Sequence, residues 1–240
     1  MAIQVNIFLL CYNEELLLPY TIKYYKTKFS NCIITIFDNY STDKSCEIAR
    51  QKGCKIKQFD TGDLQDEWIF MQIRSNLWKE FVIEGWVIMC DMDEWLDITE
   101  EELILEDQKG TTIITTQGFE MTGESKKEDL SDIDLFAIKK GFYDDNMSKR
   151  ICFKYPNVAI EFSWGAHTYT SYGNSVYSEK TYLLKHHNYL GEEYLIQKYL
   201  NRYIRNNLSR QYGINGHYIN DVDKIRQRHK DYLASSVELF

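Results

Sequence analysis

The stretch EGWVIMCDMDEWLDI, residues 84–98, decides the fold. Its run from Trp86 to Cys90 carries no charge, which is typical of a strand buried on both faces in the middle of a parallel sheet. Three acids follow at once, Asp91, Asp93 and Glu94. They therefore lie at the carboxyl end of that strand, where open α/β sheets bind their ligands. Carboxylate oxygens crowded at such an edge commonly hold Mg²⁺ or Mn²⁺ against a phosphate-bearing ligand.

The sequence holds two further Asp-x-Asp pairs, Asp132/Asp134 and Asp221/Asp223. No buried strand precedes Asp132. Asp221 opens a charged helix, where the helix dipole favours acids near the amino terminus. Both pairs are therefore interpreted as solvated acids, and only the pair after the Trp86–Cys90 strand is aimed into a site.

The composition limits the classes of function. With 240 residues, 44% of them hydrophobic, the chain is long enough for a sizeable core. A formal net charge of −8 argues against general nucleic-acid or anionic-membrane binding, although a local metal or basic group still allows an anionic nucleotide to bind. No run approaches the length of a membrane span. Six cysteines without metal-finger spacing, and an amino terminus without a signal-peptide pattern, predict reduced thiols in a cytoplasmic protein.

The first half of the chain alternates strand and helix patterns with short connections. This alternation predicts an α/β fold with a mostly parallel central sheet flanked by helices. The predicted strands cover residues 3–11, 32–37, 54–59, 86–90 and 111–116, and the predicted helices cover 14–28, 44–52, 66–84 and 99–110.

The pattern changes after Gly118. Residues 122–135 are polar and loop-like, residues 136–185 predict short antiparallel strands, and two helices follow near 192–208 and 221–236. We therefore divide the chain into a nucleotide-sugar-binding half, residues 1–118, and an acceptor-side half, residues 119–240, within one compact unit.

Three strand ends converge on one edge of this sheet, at residues 11–15, 38–45 and 91–96. In order and spacing they resemble the family 2-like glycosyltransferases with a GT-A fold, whose turns read YNE or RNE, then D-[DN]-x-S-x-D, then D-x-D. The resemblance is to the branch with D-x-D-E-[FW] and a downstream helix of the form H-x(4)-S-x(2)-E-x(3)-K. It covers residues 5–98 well and 181–200 loosely. It implies a GT-A (Rossmann-like) sheet with a C-terminal antiparallel and helical acceptor region.

The resemblance also implies a function: metal-dependent transfer of a sugar from a nucleotide diphosphate sugar, expected to be a UDP-sugar, to a glycan or other hydroxyl acceptor, with inversion. Arg74 would lie near the donor diphosphate, although Ser75 replaces the asparagine usual in the family. Asp91 would contact the ribose or sugar, which makes it a catalytic candidate, and Asp93 would bind Mn²⁺ or Mg²⁺, with Asp91 as a further candidate ligand. The nucleoside pocket would be lined by Tyr12, Asn13, Glu14 and Asp38, with Asp38 accepting a hydrogen bond from the base.

The remaining metal ligand and the catalytic base stay open. Alignment on Gly191 and Lys198 places the histidine of the family on His186, which would complete the metal shell beside Asp93. A surface loop explains adjacent histidines equally well, and the alternatives are His187 and His167. An inverting transfer also needs a carboxylate that takes the proton of the acceptor hydroxyl. Glu120 is best placed for it, and the other candidates are Glu161, Asp144 and Asp145.

Two other classes of function compete with this one. A nucleotidyltransferase on a related sheet would have a glycine-rich, basic loop after the first strand, which the turn Tyr12–Glu15 lacks. A non-catalytic carbohydrate-binding module would keep the fold without chemistry. The donor sugar, the acceptor and the oligomeric state do not follow from the sequence.

Overall fold

A computed structural model gives the fold and describes residues 3–211, 213 and 216–239, without the side chains of 208 and 209. The strands are β1 Val5–Cys11, β2 Cys32–Asp38, β3 Lys55–Gln58, β4 Gly85–Asp91, β5 Glu94–Asp97, β6 Ile113–Ser125, β7 Lys140–Tyr143, β8 Cys152–Tyr155, β9 Val158–Phe162, β10 Tyr169–Gly173, β11 Tyr177–Gly191 and β12 Val237–Glu238. The helices are α1 Leu18–Lys28, α2 Ser45–Gln51, α3 Glu67–Asn76, α4 Glu100–Gln108, α5 Glu192–Arg205, α6 Asn207–Gln211 and α7 Val222–Ser235.

A ten-stranded sheet forms the centre of the molecule, in the order β12-β7-β6-β8-β4-β1-β2-β3, with β11 paired to β6 and β5 paired to β11. β1 pairs in parallel with β2 and β4, and β2 pairs in parallel with β3. β9 and β10 form a separate antiparallel hairpin. The predicted α/β fold with a mostly parallel central sheet flanked by helices is confirmed.

Burial on both faces explains why β1 and β4 lie in the middle. All seven residues of β1 are buried, as is the run Trp86–Cys90 of β4. Ile7 and Leu9 pack into the hydrophobic cluster on one face, and Phe8 and Leu10 into the cluster on the other. Because neither face meets water, the sequence of such a strand shows no polar alternation.

Two elements end elsewhere than predicted. α3 stops at Asn76 and a 3-10 turn, Leu77–Glu80, follows, whereas a single helix to residue 84 was predicted. The buried Trp78 donates Nε1–H to the carbonyl of Arg74 at 3.1 Å, which tightens this last turn. β6 runs straight through Gly118, where a Cβ atom would lie 2.1 Å from the backbone of Met147. The glycine therefore marks a close backbone approach inside a strand. The division of the chain into two halves at residue 118 stays a prediction.

The strands of the second half were predicted to be antiparallel, and this prediction is wrong for one of them. β11 pairs in parallel with β6 and antiparallel with β5, a strand that the sequence did not predict. Hydrophobic periodicity shows that a segment is extended, but the direction of its partner depends on how the chain returns to the sheet. Among the described residues, no helix is long and apolar enough to cross a bilayer. The six cysteines are free thiols.

Helix α4 begins at a capping box formed by Thr99 and Glu102. Thr99 Oγ1 accepts a hydrogen bond from Glu102 N at 3.2 Å, and Glu102 Oε2 accepts one from Thr99 N at 2.9 Å. Thr99→Ala removes the first bond and is expected to lower the free energy of unfolding by about 1 kcal/mol, measured by urea denaturation. The control Thr27→Ala, at an exposed position of α1, is expected to stay within about 0.5 kcal/mol of the parent. Equal losses in both variants would contradict a capping role.

Candidate active site

The three predicted strand ends meet at one edge of the sheet. The register of β1 places Cys11 beside Asp38 of β2, and Leu10 beside Asp91 of β4. Parallel pairing brings the carboxyl ends of these strands to the same side, where the polar side chains that follow them share one crevice.

The turns after β1 and β2 are bound to each other. Asn13, in the left-handed region with φ 53°, accepts a hydrogen bond through Oδ1 from Thr42 N at 2.8 Å. Glu14 N donates to Ser45 Oγ at 2.8 Å. Asp43 accepts a further bond from Glu15 N at 3.0 Å. Asn13 and Asp43 therefore hold the two turns together.

Asp38 lies inside its own turn. It is 0% exposed, and its two carboxylate oxygens accept from Ser41 N at 3.3 Å. The predicted hydrogen bond to a nucleobase would need this turn to open, so in this structure Asp38 shapes the turn. Its contact with a base stays a prediction.

Tyr12 stands at the mouth of the crevice. The Cζ atom of Arg205, at the end of α5, lies 3.2 Å from the centre of the Tyr12 ring, and the Tyr12 hydroxyl donates to Asp63. Arg205 Nε also donates to the Asp63 carbonyl at 3.2 Å. Sequence reasoning missed Arg205 and Asp63, because a basic residue near a helix end and an acid in a loop carry no distinctive signal.

Asp91 is held by two cations. Arg74 Nη2 donates to its Oδ1 at 2.8 Å, and Lys149 Nζ lies 3.8 Å from its Oδ2. Burial opposes the charge of Asp91, but these two cations lower the pKa of its carboxyl to about 2. Its side chain keeps 29% exposure, so an ionised and oriented carboxylate faces the crevice. The structure thus brings Arg74 to the acid cluster, and its predicted place near the donor diphosphate stays a prediction.

Glu94 hydrogen-bonds both to the backbone of Asp91 and to Lys149. Its Oε2 accepts from Asp91 N at 3.0 Å, and its Oε1 accepts from Lys149 Nζ in a pair whose side chains are 4% and 2% exposed. Lys149 lies 55 residues from Glu94 along the chain. It was not predicted, because an isolated lysine between loop residues carries no sequence signal.

Asp93 faces a different set of partners. Its Oδ2 accepts a hydrogen bond from Lys198 Nζ at 2.7 Å and lies 3.3 Å from His186 Nε2. Burial opposes the charge of Asp93, but these two groups hold the pKa of its carboxyl well below the usual range. Burial and the charge of Asp93 together raise the pKa of the nearby Glu14 carboxyl to about 7.

His186 joins Asp93 to Glu120. Its Nδ1 lies 2.8 Å from Glu120 Oε2. The register of β11 places His186 beside Glu120 on β6 and beside Glu94 on β5. Burial opposes protonation, but Glu120 and Asp93 raise the pKa of His186 to about 10. The carboxylate that we predicted as the base is thus engaged by a histidine, and a base role for Glu120 stays a prediction.

The two alternative histidines have other surroundings. His187 is 1% exposed, and its ring centre lies 4.0 Å from that of Trp95. Burial and the charge of Lys185 lower the pKa of His187 to about 3. His167 Nδ1 lies 2.7 Å from the carbonyl of Asn146. Of the three, only His186 brings its ring to the Asp93 carboxylate, whereas His187 contacts Asp93 through its backbone N–H, which donates to the Asp93 carbonyl at 2.7 Å.

The other acids are occupied locally. Asp144 accepts from Asn146 N at 3.0 Å, Asp145 from the Tyr143 hydroxyl at 2.7 Å, and Glu161 from the Tyr172 hydroxyl at 2.9 Å. Asp221 caps α7 through Lys224 N at 3.1 Å, and Asp132 accepts from Ser125 and Lys126. The interpretation of the two look-alike Asp-x-Asp pairs as acids outside the site agrees with these contacts.

The crevice offers a divalent cation a small set of ligand atoms. The described residues contain no group of three or more histidine, cysteine or acidic side chains arranged to hold a metal ion. Two ligand atoms fit nonetheless, once the His186 ring releases its Nε2 proton: Asp93 Oδ2 and His186 Nε2 are 3.3 Å apart, and neighbouring ligands of an octahedral Mg²⁺ ion are about 3 Å apart. Glu120 on the second ring nitrogen is the partner that metal-binding histidines usually have. Asp91 lies outside this pair, and its role as a ligand stays a prediction.

No protein-family model matches the chain, and no curated protein matches it in sequence. Its structure is similar to glucosyl-3-phosphoglycerate synthase from Mycobacterium tuberculosis in complex with Mn²⁺, UDP and glucosyl-3-phosphoglycerate (16% identity, 48% of this chain and 44% of that one, TM-score 0.33). It is also similar to S. aureus TarS 1-349 (14%, 97% and 72%, 0.45). A third likeness is to the mannosyltransferase PcManGT from Pyrobaculum calidifontis in complex with GDP-Man and Mn²⁺ (11%, 53% and 37%, 0.37).

The chain spans less than half the length of the first and third of these proteins. With TM-scores below 0.5, the likenesses carry nothing about the activity of this chain.

Proposed function

We propose that this chain is a metal-dependent glycosyltransferase, which moves a sugar from a nucleotide diphosphate sugar to a hydroxyl acceptor. The supporting observation is that the two aspartates at the end of β4 have different partners. Asp91 is ionised and oriented by Arg74, whereas Asp93 faces a histidine backed by a carboxylate. One acid is thus prepared for hydroxyl groups, and the other for a cation.

The donor side follows from these contacts. When bound, a divalent cation stabilises the charge that develops on the diphosphate leaving group. Asp93 and His186 would hold it. Arg74 fixes one oxygen of Asp91, so the carboxylate accepts hydrogen bonds from the ribose or sugar in a fixed direction. Such preorganisation matters because the rate of transfer falls steeply when the sugar donor is bound in the wrong position.

Glu120, in this proposal, orients His186. Glu120→Gln keeps the shape of the side chain but weakens the bond to Nδ1, and is expected to lower Mn²⁺ affinity roughly 10- to 100-fold. Isothermal titration calorimetry with Mn²⁺ measures it. The control is Glu124→Gln, whose carboxylate is 63% exposed on the same strand. Unchanged metal affinity with loss of acceptor-dependent turnover would return Glu120 to the role of base.

The acceptor side is assigned to the turn Trp164–His167. Gly165 N donates to Glu67 Oε2 at 3.2 Å, and Glu67 lies 3.8 Å from Arg74, which holds Asp91. Trp164 and Trp68 form an edge-to-face pair with ring centres 5.1 Å apart, 38% and 52% exposed. Exposed aromatic rings beside the chain of contacts from Gly165 through Glu67 and Arg74 to Asp91 suit an acceptor sugar, whose apolar face packs on a ring.

Trp164→Ala is expected to raise the KM for a saccharide acceptor roughly tenfold, because it removes ring contacts worth about 1 kcal/mol or more. Hydrolysis of the donor without acceptor is expected to stay unchanged. Steady-state kinetics with the best acceptor of a saccharide panel measures both. Tyr172→Ala, which removes another exposed ring, serves as control. A KM that is equally insensitive to both changes would place the acceptor elsewhere.

The function itself is tested by Mn²⁺-dependent release of nucleoside diphosphate from a panel of UDP- and GDP-sugars, with Asp93→Asn as control. Turnover of at least one donor that depends on Asp93 is expected. Release of pyrophosphate from a nucleoside triphosphate and a sugar phosphate would indicate the nucleotidyltransferase instead. Saccharide binding without turnover of any donor would indicate the binding module.

A further inference from the structure

Lys198 occupies an unusual position for a lysine. It lies on α5, its side chain is 9% exposed, and its ammonium is 2.7 Å from Asp93 Oδ2. The ring of Tyr194, one helical turn earlier, lies 5.7 Å from the same ammonium. A buried lysine pairs with a carboxylate because its charge would otherwise be unsolvated. Lys198 therefore neutralises Asp93 in the protein without ligands.

The oxygen that Lys198 contacts is also the one nearest to His186. Asp93 Oδ2 and His186 Nε2, 3.3 Å apart, are the donor pair that fits a divalent cation. An ammonium hydrogen-bonded to Oδ2 and a metal ion on the same oxygen would be two cations within a few ångströms. Since like charges at this distance repel strongly in a partly dry site, both cannot keep these positions.

Helix α5 carries a second cation near Asp93, in addition to Lys198. Arg202, one turn further along α5, contributes to the electrostatic environment of both Asp93 and Glu14. Its Nη1 donates to the hydroxyl of Tyr218. A metal ion that enters alone therefore meets two positive groups on α5. The anionic oxygens of a diphosphate would give an ammonium released from Asp93 a new partner, as lysine clamps on transferring phosphates do.

We propose that Lys198 is the counter-cation of Asp93 in the protein without ligands. A divalent cation displaces the Lys198 ammonium from Asp93, and the ammonium then binds the diphosphate of the sugar donor. Lys198 thus makes metal binding depend on the nucleotide: it weakens binding of the metal alone and strengthens binding of the metal with a diphosphate. The identity of the diphosphate rests on the proposed function. The competition between Lys198 and the metal does not.

Mn²⁺ binding to the full chain tests the inference without any turnover. The free ion is followed by electron paramagnetic resonance, first alone and then with UDP or GDP as probe. Lys198→Met is expected to bind Mn²⁺ alone at least tenfold more tightly than the parent, and to bind the nucleotide in the presence of Mn²⁺ at least tenfold more weakly. Lys198→Arg keeps the charge and is expected to resemble the parent. The control Lys28→Met removes a partly buried partner of Asp97 outside the site and is expected to change neither constant.

Unchanged or weaker binding of Mn²⁺ alone by Lys198→Met would overturn the inference, as would a parent that binds no Mn²⁺ with either nucleotide. Lys198→Gln, which is neutral yet still donates a hydrogen bond to Asp93, decides the question if the methionine variant does not fold. Tighter metal binding in a chain that turns over no sugar donor would support the competition and reject the proposed function. The two failures are therefore distinguishable.

Discussion

Replacing Asp93 by asparagine is expected to lower Mn²⁺-dependent turnover of the sugar donor roughly a thousandfold. The amide has nearly the shape of the carboxylate but no charge, so it removes the electrostatic attraction for a cation and leaves the backbone of the turn in place. Asp93 is 3% exposed and contacts both His186 and Lys198. Two basic groups would then face a neutral amide, which further disfavours metal binding. Steady-state release of nucleoside diphosphate measures the effect.

The matched control is Asp223→Asn, in a look-alike Asp-x-Asp pair where the carboxylate is 95% exposed. Its turnover is expected to equal that of the parent. An Asp93→Asn variant that kept turnover within about tenfold of the parent would remove Asp93 from the cation site. A circular dichroism spectrum of each variant verifies that the fold is retained.

Replacing Lys149 by methionine is expected to destabilise the protein by roughly 3–5 kcal/mol, the cost of breaking a buried ion pair from one side. The change strands the Glu94 carboxylate, whose side chain is 2% exposed. It also removes one of the two cations that neutralise Asp91. Guanidinium chloride denaturation, followed by tryptophan fluorescence, measures the free energy of unfolding.

Two further variants show whether the stranded charge is the cause. Lys149→Met combined with Glu94→Leu is expected to recover much of the loss, because apolar groups in place of both partners leave neither charge of this pair buried alone. Lys180→Met breaks the Lys180–Glu102 pair, whose side chains are 57% and 30% exposed, and is expected to cost under about 1 kcal/mol. A Lys149→Met variant as stable as this control would show that the buried pair contributes little.

The fold could be predicted where local pattern and tertiary environment agree. The uncharged run Trp86–Cys90 indicated a strand buried on both faces, and it lies in β4 beside the central β1. The predicted helix start at residue 99 agrees with α4, whose N-cap is Thr99. These features depend on neighbours within a few residues, so the sequence contains the whole cause.

The contacts around Asp93 and Glu94 could not be predicted from local patterns. Asp93 was predicted from its strand, and His186 from the resemblance. The contact between His186 and Glu120, however, exists because β11 returns parallel to β6. Lys149 reaches Glu94 across 55 residues, and Lys198 reaches Asp93 across 105. Periodicity encodes no contact of that separation, and the motif that contains Lys198 does not show which acid the lysine meets.

By itself, then, the sequence determined the α/β alternation, the central strand and the acids at its carboxyl end, because strand burial and chain direction follow from residue order. Only the tertiary structure decided which cation neutralises each acid: Arg74 and Lys149 at Asp91, and His186 and Lys198 at Asp93. The physical reason is that a buried charge must find its partner wherever the folded chain places one. That choice is made by packing between distant segments.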